Sequence, residues 1–361
     1  MKLEKIAIYG GSFNPVHKAH IQIAKKAIDF LNLDMLFFVP NYINPLKNNK
    51  ENNVDPAFRF EMLKLVQIEK TQVCDYEIKA KKISYTIETV NYFRQKYPDA
   101  KLFLIIGSDN LASFKMWKNY KEILEKVQLV VFRRKNYPDL GNVKRYNALI
   151  LPTQLPNFSS SEIRNGNFFG LDPKVNAFIG ANFLYANSIL KGFLGNSDRL
   201  IHSKNTAELS SEYAKIYGLD SKQAYYAGLF HDLTKKWSRQ EHIDFLKSQK
   251  IDASDLQDYE LHQLSASIWL KNVYLLPFEQ IIRAISCHTT LCFEMSLFDK
   301  AIYVADKLAR GRRFSGIQKL RDLAKQDLNK AFSQLVRMSK IEHENMKNSA
   351  NQMKLYEKHQ N

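Results

Sequence analysis

The feature that most restricts this chain lies near its start, in KIAIYGGSFNPVHKAHIQIAKKAIDF: an apolar run, two glycines, then a helical pattern. A short uninterrupted apolar run reads as a strand buried on both faces. Gly10 and Gly11 permit a tight turn and close backbone approach. The helix that follows offers free N–H groups and the positive end of its dipole, which together make a phosphate site. His17 and His20 lie three apart in the first helical turn, so both rings can face that site. The glycines are too few and wrongly spaced for a P-loop or a dinucleotide fingerprint. The pattern points to phosphoryl or nucleotidyl transfer, in which positioning and charge stabilisation dominate.

The alternation continues. MLFFVPN, KLFLIIGSD and ALILPT read as further strands, and YKEILEKVQLVVFRR runs from helix into strand. PAFRFEMLKLVQIE begins behind Asp55-Pro56, an N-cap followed by proline at the first helical position. YTIETVNYFRQKYP is another helix, and SSSEIR places Ser159 and Glu162 at capping-box spacing. Strands alternating with helices predict a parallel sheet covered on both faces. From about Pro173 strand signals fade, and stretches such as AYYAGLF, HQLSASIWLKNVYLL and FEQIIRAISCH predict an all-helical second half. The segment 173–190 either closes the first domain or opens the second. The polar end after about Lys340 reads as a fraying helix.

At 361 residues the chain can form two domains with a core each. No apolar run reaches membrane-spanning length, and the N-terminal run is too short for a signal peptide, so a cytoplasmic protein is expected. Cys74, Cys287 and Cys292 form no CxxC and are expected as reduced thiols. The formal net charge is +16, but the lysines are scattered and form no long basic tail. Clefts for anionic nucleotides explain this charge as well as nucleic-acid binding does.

The N-terminal stretch resembles the nucleotidyltransferase signature of bacterial nicotinate-nucleotide adenylyltransferases. The resemblance runs to about residue 185 and includes VPNYINPLK, SYT, IIGSDNLASFKMW, FRR and FSSSEIR. It implies that Gly10, Gly11, Ser12 and Phe13 shape the ATP cradle, with His17 and His20 on the phosphates. Lys47, Arg134, Ser160, Ser161 and Arg164 would hold the triphosphate and adenine side, and Asp109 the adenosine. Ser84, Tyr85 and Thr86 would read the nicotinate carboxylate, and Trp117 would stack on the pyridine ring. The implied substrates are ATP and nicotinate mononucleotide, with Mg²⁺ neutralising charge. Ala19 replaces the usual Gly of the histidine box and Leu46 the usual His before Lys47, which implies weaker ATP binding.

The chain has nine histidines. His242, His343 and His359 lie in charged surroundings and read as surface residues, whereas His202, His231, His262 and His288 adjoin apolar helical sequence. With Asp232 and Asp306 those four form a typical ligand set for a dinuclear hydrolytic centre. The order His…His-Asp…Asp, with LFHDLTK, LHQLSAS, ISCHTT and IYVADKLARGRRF, resembles the HD-type symmetrical diadenosine tetraphosphatases. The resemblance implies one metal on His202, His231, Asp232 and Asp306, and a second on His262 and His288 with Asp232 between them. Iron or manganese, two ions, is implied, with Lys235 and Arg312 on phosphates. Ala309 stands where that family carries an acidic residue.

The expectation is therefore an α/β, Rossmann-like nucleotidyltransferase domain over 1–187, an all-α HD domain over 188–345 and a polar tail over 346–361. Its implied substrates are ATP, nicotinate mononucleotide and diadenosine tetraphosphate (Ap4A), with no dedicated nucleic-acid binding and no membrane. Homo-oligomerisation is left open. The alternative is an HD half that hydrolyses another nucleotide or is regulatory, with only the adenylyltransferase active.

Overall fold

The computed structural model describes residues 3–43, 54–66, 68–83, 85–133, 141–152, 158–344 and 350–360. Lys47, Ser84 and Arg134 lie outside them. The chain divides into two compact units, Met1–Phe178 and Ile179–Asn361. This division falls ahead of the 187/188 boundary taken from the sequence.

In the first unit, strands β1 (Lys5–Gly11), β2 (Met35–Pro40), β3 (Thr71–Val73), β4 (Lys101–Gly107), β5 (Gln128–Phe132) and β6 (Leu149–Leu151) form one sheet. Every pairing is parallel, in the order β3-β2-β1-β4-β5-β6. Between them run α1 (Lys18–Leu31), α2 (Pro56–Leu65), α3 (Tyr76–Ala80), α4 (Thr86–Lys96), α5 (Ser108–Ala112), α6 (Tyr120–Lys126) and α7 (Gly141–Arg145), and α8 (Ser160–Arg164) follows β6. Ile6, Ala7, Ile8 and Tyr9 of β1 are all buried, as a strand covered on both faces requires. The order reverses between β1 and β4, whose carboxyl ends therefore border the crevice where open α/β sheets bind ligands. The Asp55-Pro56 start holds: Asp55 Oδ1 accepts from the Ala57 N–H at 2.8 Å. Three-residue β3 and the short α3, α5 and α7 gave no periodic signal.

A buried carboxyl links two of these helices. Glu77 of α3 accepts from Thr89 Oγ1 of α4, and burial pushes its pKa up to about 7.

The second unit is helical. Beyond α9 (Pro173–Ala181), in which the division falls, come α10 (Ala186–Leu194), α11 (Asp198–Ile216), α12 (Ser221–Phe230), α13 (Arg239–Ser248), α14 (Asp258–Asn272), α15 (Glu279–Cys287), α16 (Leu297–Leu308), α17 (Ile317–Gln326), α18 (Leu328–Glu344) and α19 (Ala350–His359). Its core centres on Tyr213, Tyr303, Phe332 and Val336. No helix among the described residues is long and apolar enough to cross a membrane.

Two expectations are corrected here. Within the stretch 346–361 expected as a polar tail, the described residues form α19 and pack into the core. Tyr356 of α19 is 1% exposed in the core, and Gln352 Nε2 donates to the Thr290 carbonyl at 2.8 Å. Tyr356, Met353 and Leu355 are the apolar residues of α19 packed in the core, few enough that the polar composition hid them. Cys287 and Cys292 are not both thiols: they form a disulfide, with Cα atoms 5.3 Å apart. Leu291, at φ 66°, turns the chain back between them. Cys74 is free.

Two outcomes follow from the packing. An added Cβ at Gly228 of α12 would come 2.6 Å from Ser210 Oγ and 2.8 Å from Ala207 Cα of α11. Gly228→Ala is therefore expected to destabilise the second unit by about 1–3 kcal/mol, read as a lower unfolding midpoint. Glu77 keeps its proton up to about pH 7 when folded but loses it near pH 4.5 when unfolded. Between those values the folded state binds more protons, so stability falls as pH rises. Glu77→Gln should flatten that slope in thermal unfolding between pH 4.5 and 7.

Candidate active sites

The first site starts at the end of β1. A Cβ at Gly10 would meet nothing within 4 Å, so space beside the backbone is open. Gly11 is closed in instead: a Cβ there would come 3.1 Å from the Phe13 ring. Phe13 sits at φ 46°, a left-handed conformation costing a residue with a side chain about 1–2 kcal/mol. Its ring is 2% exposed and packs edge-on against Tyr9 and Phe38, which holds the turn.

His17 caps α1 with extended backbone, and its N–H donates to His20 Nδ1 at 3.2 Å. A neutral His20 then carries its proton on Nε2, where it can donate to a phosphate oxygen. The two rings lie 3.8 Å apart, centroid to centroid. Ala19 is buried in the same turn.

Helix α8 reaches this loop from far along the chain. Ser159 and Glu162 form the expected capping box. Ser160 Oγ donates to the Pro15 carbonyl at 3.2 Å, and Arg164 Nη1 donates to the Asn14 carbonyl at 2.7 Å. Arg164 Nη2 also donates to Ser161 Oγ at 3.0 Å. Ser160, Ser161 and Arg164 are thus brought to the glycine–histidine segment.

Asp109 is the second residue of α5, directly beyond β4, the neighbour of β1. Tyr85 caps α4 and Thr86 begins it. Lys118 Nζ lies 4.5 Å from the Tyr85 ring centroid, which joins this segment to the one carrying Trp117. Trp117 packs on Phe114, and its Nε1 has no hydrogen-bond partner among the described residues.

The second site is built at the meeting of five helices. His202 projects from α11, His231 follows α12 directly and Asp232 comes next, His262 lies in α14, His288 ends α15 and Asp306 lies in α16. Asp232 divides its oxygens. Oδ2 is 3.3 Å from His231 Nε2 and 4.0 Å from His202 Nε2, while Oδ1 is 3.4 Å from His262 Nε2 and 3.7 Å from His288 Nε2. Asp306 Oδ1 completes the first group, 2.8 Å from His202 Nε2 and 3.5 Å from His231 Nε2. His231 and His288 each direct Nδ1 to a carbonyl at 2.7 Å, of Gly228 and Ile285, so Nε2 is the atom turned inward.

The electrostatics demand positive charge at this point. Burial opposes charging His231, yet Asp232 and Asp306 outweigh it and push its pKa up to about 10. Burial likewise opposes ionising the two carboxyls, but His231 beside Asp232 and Lys307 beside Asp306 keep both well below the usual range. Burial and the nearby His288 keep His262 neutral. His202, His231 and Asp232, and separately Asp232, His262 and His288, each gather three ligand atoms within 4.8 Å. The neutral His262 and His288, and a His231 whose inward proton a cation could replace between the two carboxylates, fit divalent metal ions.

Four cations rim this centre. Lys235 Nζ is 3.2 Å from the His262 ring nitrogens and Arg312 Nη2 is 3.0 Å from Asp306 Oδ1, which brings both to this centre. Arg199 Nη1, 2.7 Å from Asp232 Oδ2, and Lys307 Nζ, 3.1 Å from Asp306 Oδ2, were not anticipated. Arg199 precedes His202 by three residues, and that spacing was the available signal. His242 was misread as a surface residue. It is 4% exposed, and its Nδ1 lies 2.7 Å from Ser265 Oγ. Ser265 in turn meets Thr234 Oγ1, which donates to the His262 carbonyl at 2.8 Å. Ala309 is fully buried at the end of α16.

Comparison with known proteins finds a match for each half of the chain. The cytidylyltransferase-like family model matches residues 8–166, and the HD-domain model matches residues 199–311. A "probable nicotinate-nucleotide adenylyltransferase/Ap4A hydrolase" of Mycoplasma genitalium is 33% identical over 341 residues, covering 91% of this chain and 96% of that one. The protein of the same description from Mycoplasma pneumoniae is 31% identical over 346 residues, covering 90% and 96%. A "probable nicotinate-nucleotide adenylyltransferase" of Clostridium tetani is 41% identical over 173 residues, 45% of this chain and 86% of its own. A parallel nucleotidyltransferase sheet followed by a helical His/Asp centre, matched over nearly the whole length of the two mycoplasma proteins, places the chain in their family, the fused nicotinate-nucleotide adenylyltransferase/Ap4A hydrolases.

Proposed function

We propose that the first unit transfers AMP from ATP to nicotinate mononucleotide, and that the second cleaves Ap4A symmetrically to two ADP. The observation that carries the second assignment is Asp232, whose two oxygens face two separate imidazole groups. The first rests on the His17–His20 pair at the β1 turn, with Arg164 and Ser161 beside it.

In the first unit an oxygen of the nicotinate mononucleotide phosphate attacks the α-phosphorus of ATP. The bond to the β-phosphate breaks, and pyrophosphate leaves with the electron pair. His20 Nε2 and His17 donate to the oxygens that gain charge in the transition state. Arg164 holds the departing phosphates, Asp109 the adenosine, and Tyr85, Thr86 and Trp117 the nicotinate ring and carboxylate. Mg²⁺ is the ion we assign to this unit for charge neutralisation.

In the second unit His202, His231, Asp232 and Asp306 would hold one ion, and His262 and His288, sharing Asp232, the other. We assign iron or manganese here; such a pair supplies activated water and neutralisation of the leaving oxygen. Arg199, Lys235, Lys307 and Arg312 rim the site and hold the phosphate chain. Water oxygen bonds to one of the two central phosphorus atoms, the bridging oxygen leaves, and each half departs as ADP.

The two assignments separate by mutation. His17→Ala and His20→Ala are each expected to lower kcat for deamido-NAD formation by about 10²–10³-fold and to leave Ap4A hydrolysis intact. Chromatography of both reactions from one preparation reads this; unchanged adenylyl transfer in both variants would remove the histidines from the chemistry. Asp232→Asn should do the reverse. It should abolish ADP release and lower the number of Mn²⁺ ions bound per chain, while deamido-NAD forms at the normal rate with Mg²⁺ present.

A further inference from the structure

Arg59 lies on α2, the helix behind the Asp55-Pro56 start, and is 3% exposed. All five donors of its guanidinium are engaged, and the acceptors among the described residues are neutral oxygens. Nε donates to the Val54 carbonyl at 3.3 Å. Nη1 donates to the Ser12 carbonyl at 2.7 Å and to Asn41 Oδ1 at 3.3 Å. Nη2 donates to the Tyr42 carbonyl at 3.1 Å and to the Asn41 carbonyl. Asn41 closes the figure. Its N–H donates to the Gly11 carbonyl at 3.0 Å, and its Nδ2 donates to Ser12 Oγ at 3.3 Å. One side chain thus ties the turn after β1 to the segment leaving β2, which leads in sequence toward Lys47.

We infer that Arg59 is a positioning residue for adenylyl transfer, fixing the peptide planes of the Gly11–Phe13 turn in the form that receives ATP phosphates. This rests on the adenylyltransferase reading above. In a trans peptide the carbonyl and the following N–H point in opposite directions. Holding the Ser12 carbonyl therefore turns the Phe13 N–H away from Arg59 and α2. Phe13 itself sits in the left-handed region, where strain persists only if the surroundings over-determine the backbone. Arg59 supplies that determination from below, and the buried Phe13 ring supplies it from the side. The guanidinium is a planar fork, and among the described residues it is the side chain that donates to these oxygens. Lysine keeps the charge but offers three donors from a single point.

The test compares Arg59→Lys and Arg59→Ala in the full chain. Both should lower kcat/KM for ATP by about 100-fold, because misplacing the reacting phosphates by about 1 Å costs that much. Affinity for nicotinate mononucleotide and the rate of Ap4A hydrolysis should be unchanged. Calorimetry with a non-hydrolysable ATP analogue gives a readout that does not need turnover, and the analogue should bind more weakly to both variants. Millimolar guanidinium should partly restore ATP affinity to Arg59→Ala, a rescue that global loss of structure would not show. Wild-type ATP kinetics in Arg59→Lys would overturn the inference. So would ATP and nicotinate mononucleotide affinities falling together in step with thermal stability, or a wild-type chain that does not bind the analogue. If the analogue binds in an Arg59-dependent way but no deamido-NAD forms, the inference stands and the assigned acceptor is wrong.

Discussion

One carboxylate joined to two sets of imidazoles organises the helical half of this protein. Asp232 is 3% exposed, and a lone ionised carboxylate so buried would be strongly unfavourable. It is tolerated because α11, α12, α14, α15 and α16 each deliver a polar group to it or to its partner Asp306. Breaking such a network leaves uncompensated charge in the interior, which is strongly destabilising. The close helix packing at Gly228 serves the same end, because the Gly228 carbonyl fixes the ring of His231. Fold and centre are thus set by the same contacts.

The first unit reaches the same result with main chain instead of carboxylates. The turn after β1 carries little side-chain chemistry until His17. Its shape is held by groups from elsewhere: Arg59 and Asn41 on one side, Ser160 and Arg164 on another. Each gives at least one donor to a loop carbonyl, Asn41 through its backbone N–H to Gly11. Those bonds fix the loop carbonyls without help from a nucleotide, and donors set in advance stabilise a transition state without reorganising. In the proposed reading both halves hold phosphate-bearing ligands by preset donors and cations, and their common chemistry is adenosine on a phosphate chain.

The sequence displayed the parts with strong local signals. β1, β2, β4 and β5 are apolar runs between helical patterns, and Asp55-Pro56 and Ser159–Glu162 carry capping chemistry. Six metal-ligand candidates were legible because each combined an unusual residue type with apolar helical flanks. What escaped depends on partners distant in sequence. Arg59 and His242 look like surface residues until the burial of α2 and α13 is known. Tyr356 is a lone aromatic in a polar stretch, and the Cys287–Cys292 bridge depends on a turn at Leu291 that no composition announces. Arg199 was within reach, since it shares a face of α11 with His202.

The account's central claim is that the helical half is a second, symmetrical hydrolase on the same chain as the adenylyltransferase. The most direct measurement is the product distribution from Ap4A with Mn²⁺-loaded full-length protein, resolved by chromatography at early times. The account predicts ADP as the sole nucleotide product. AMP together with ATP, or unchanged Ap4A beside ready turnover of another nucleotide, would contradict it.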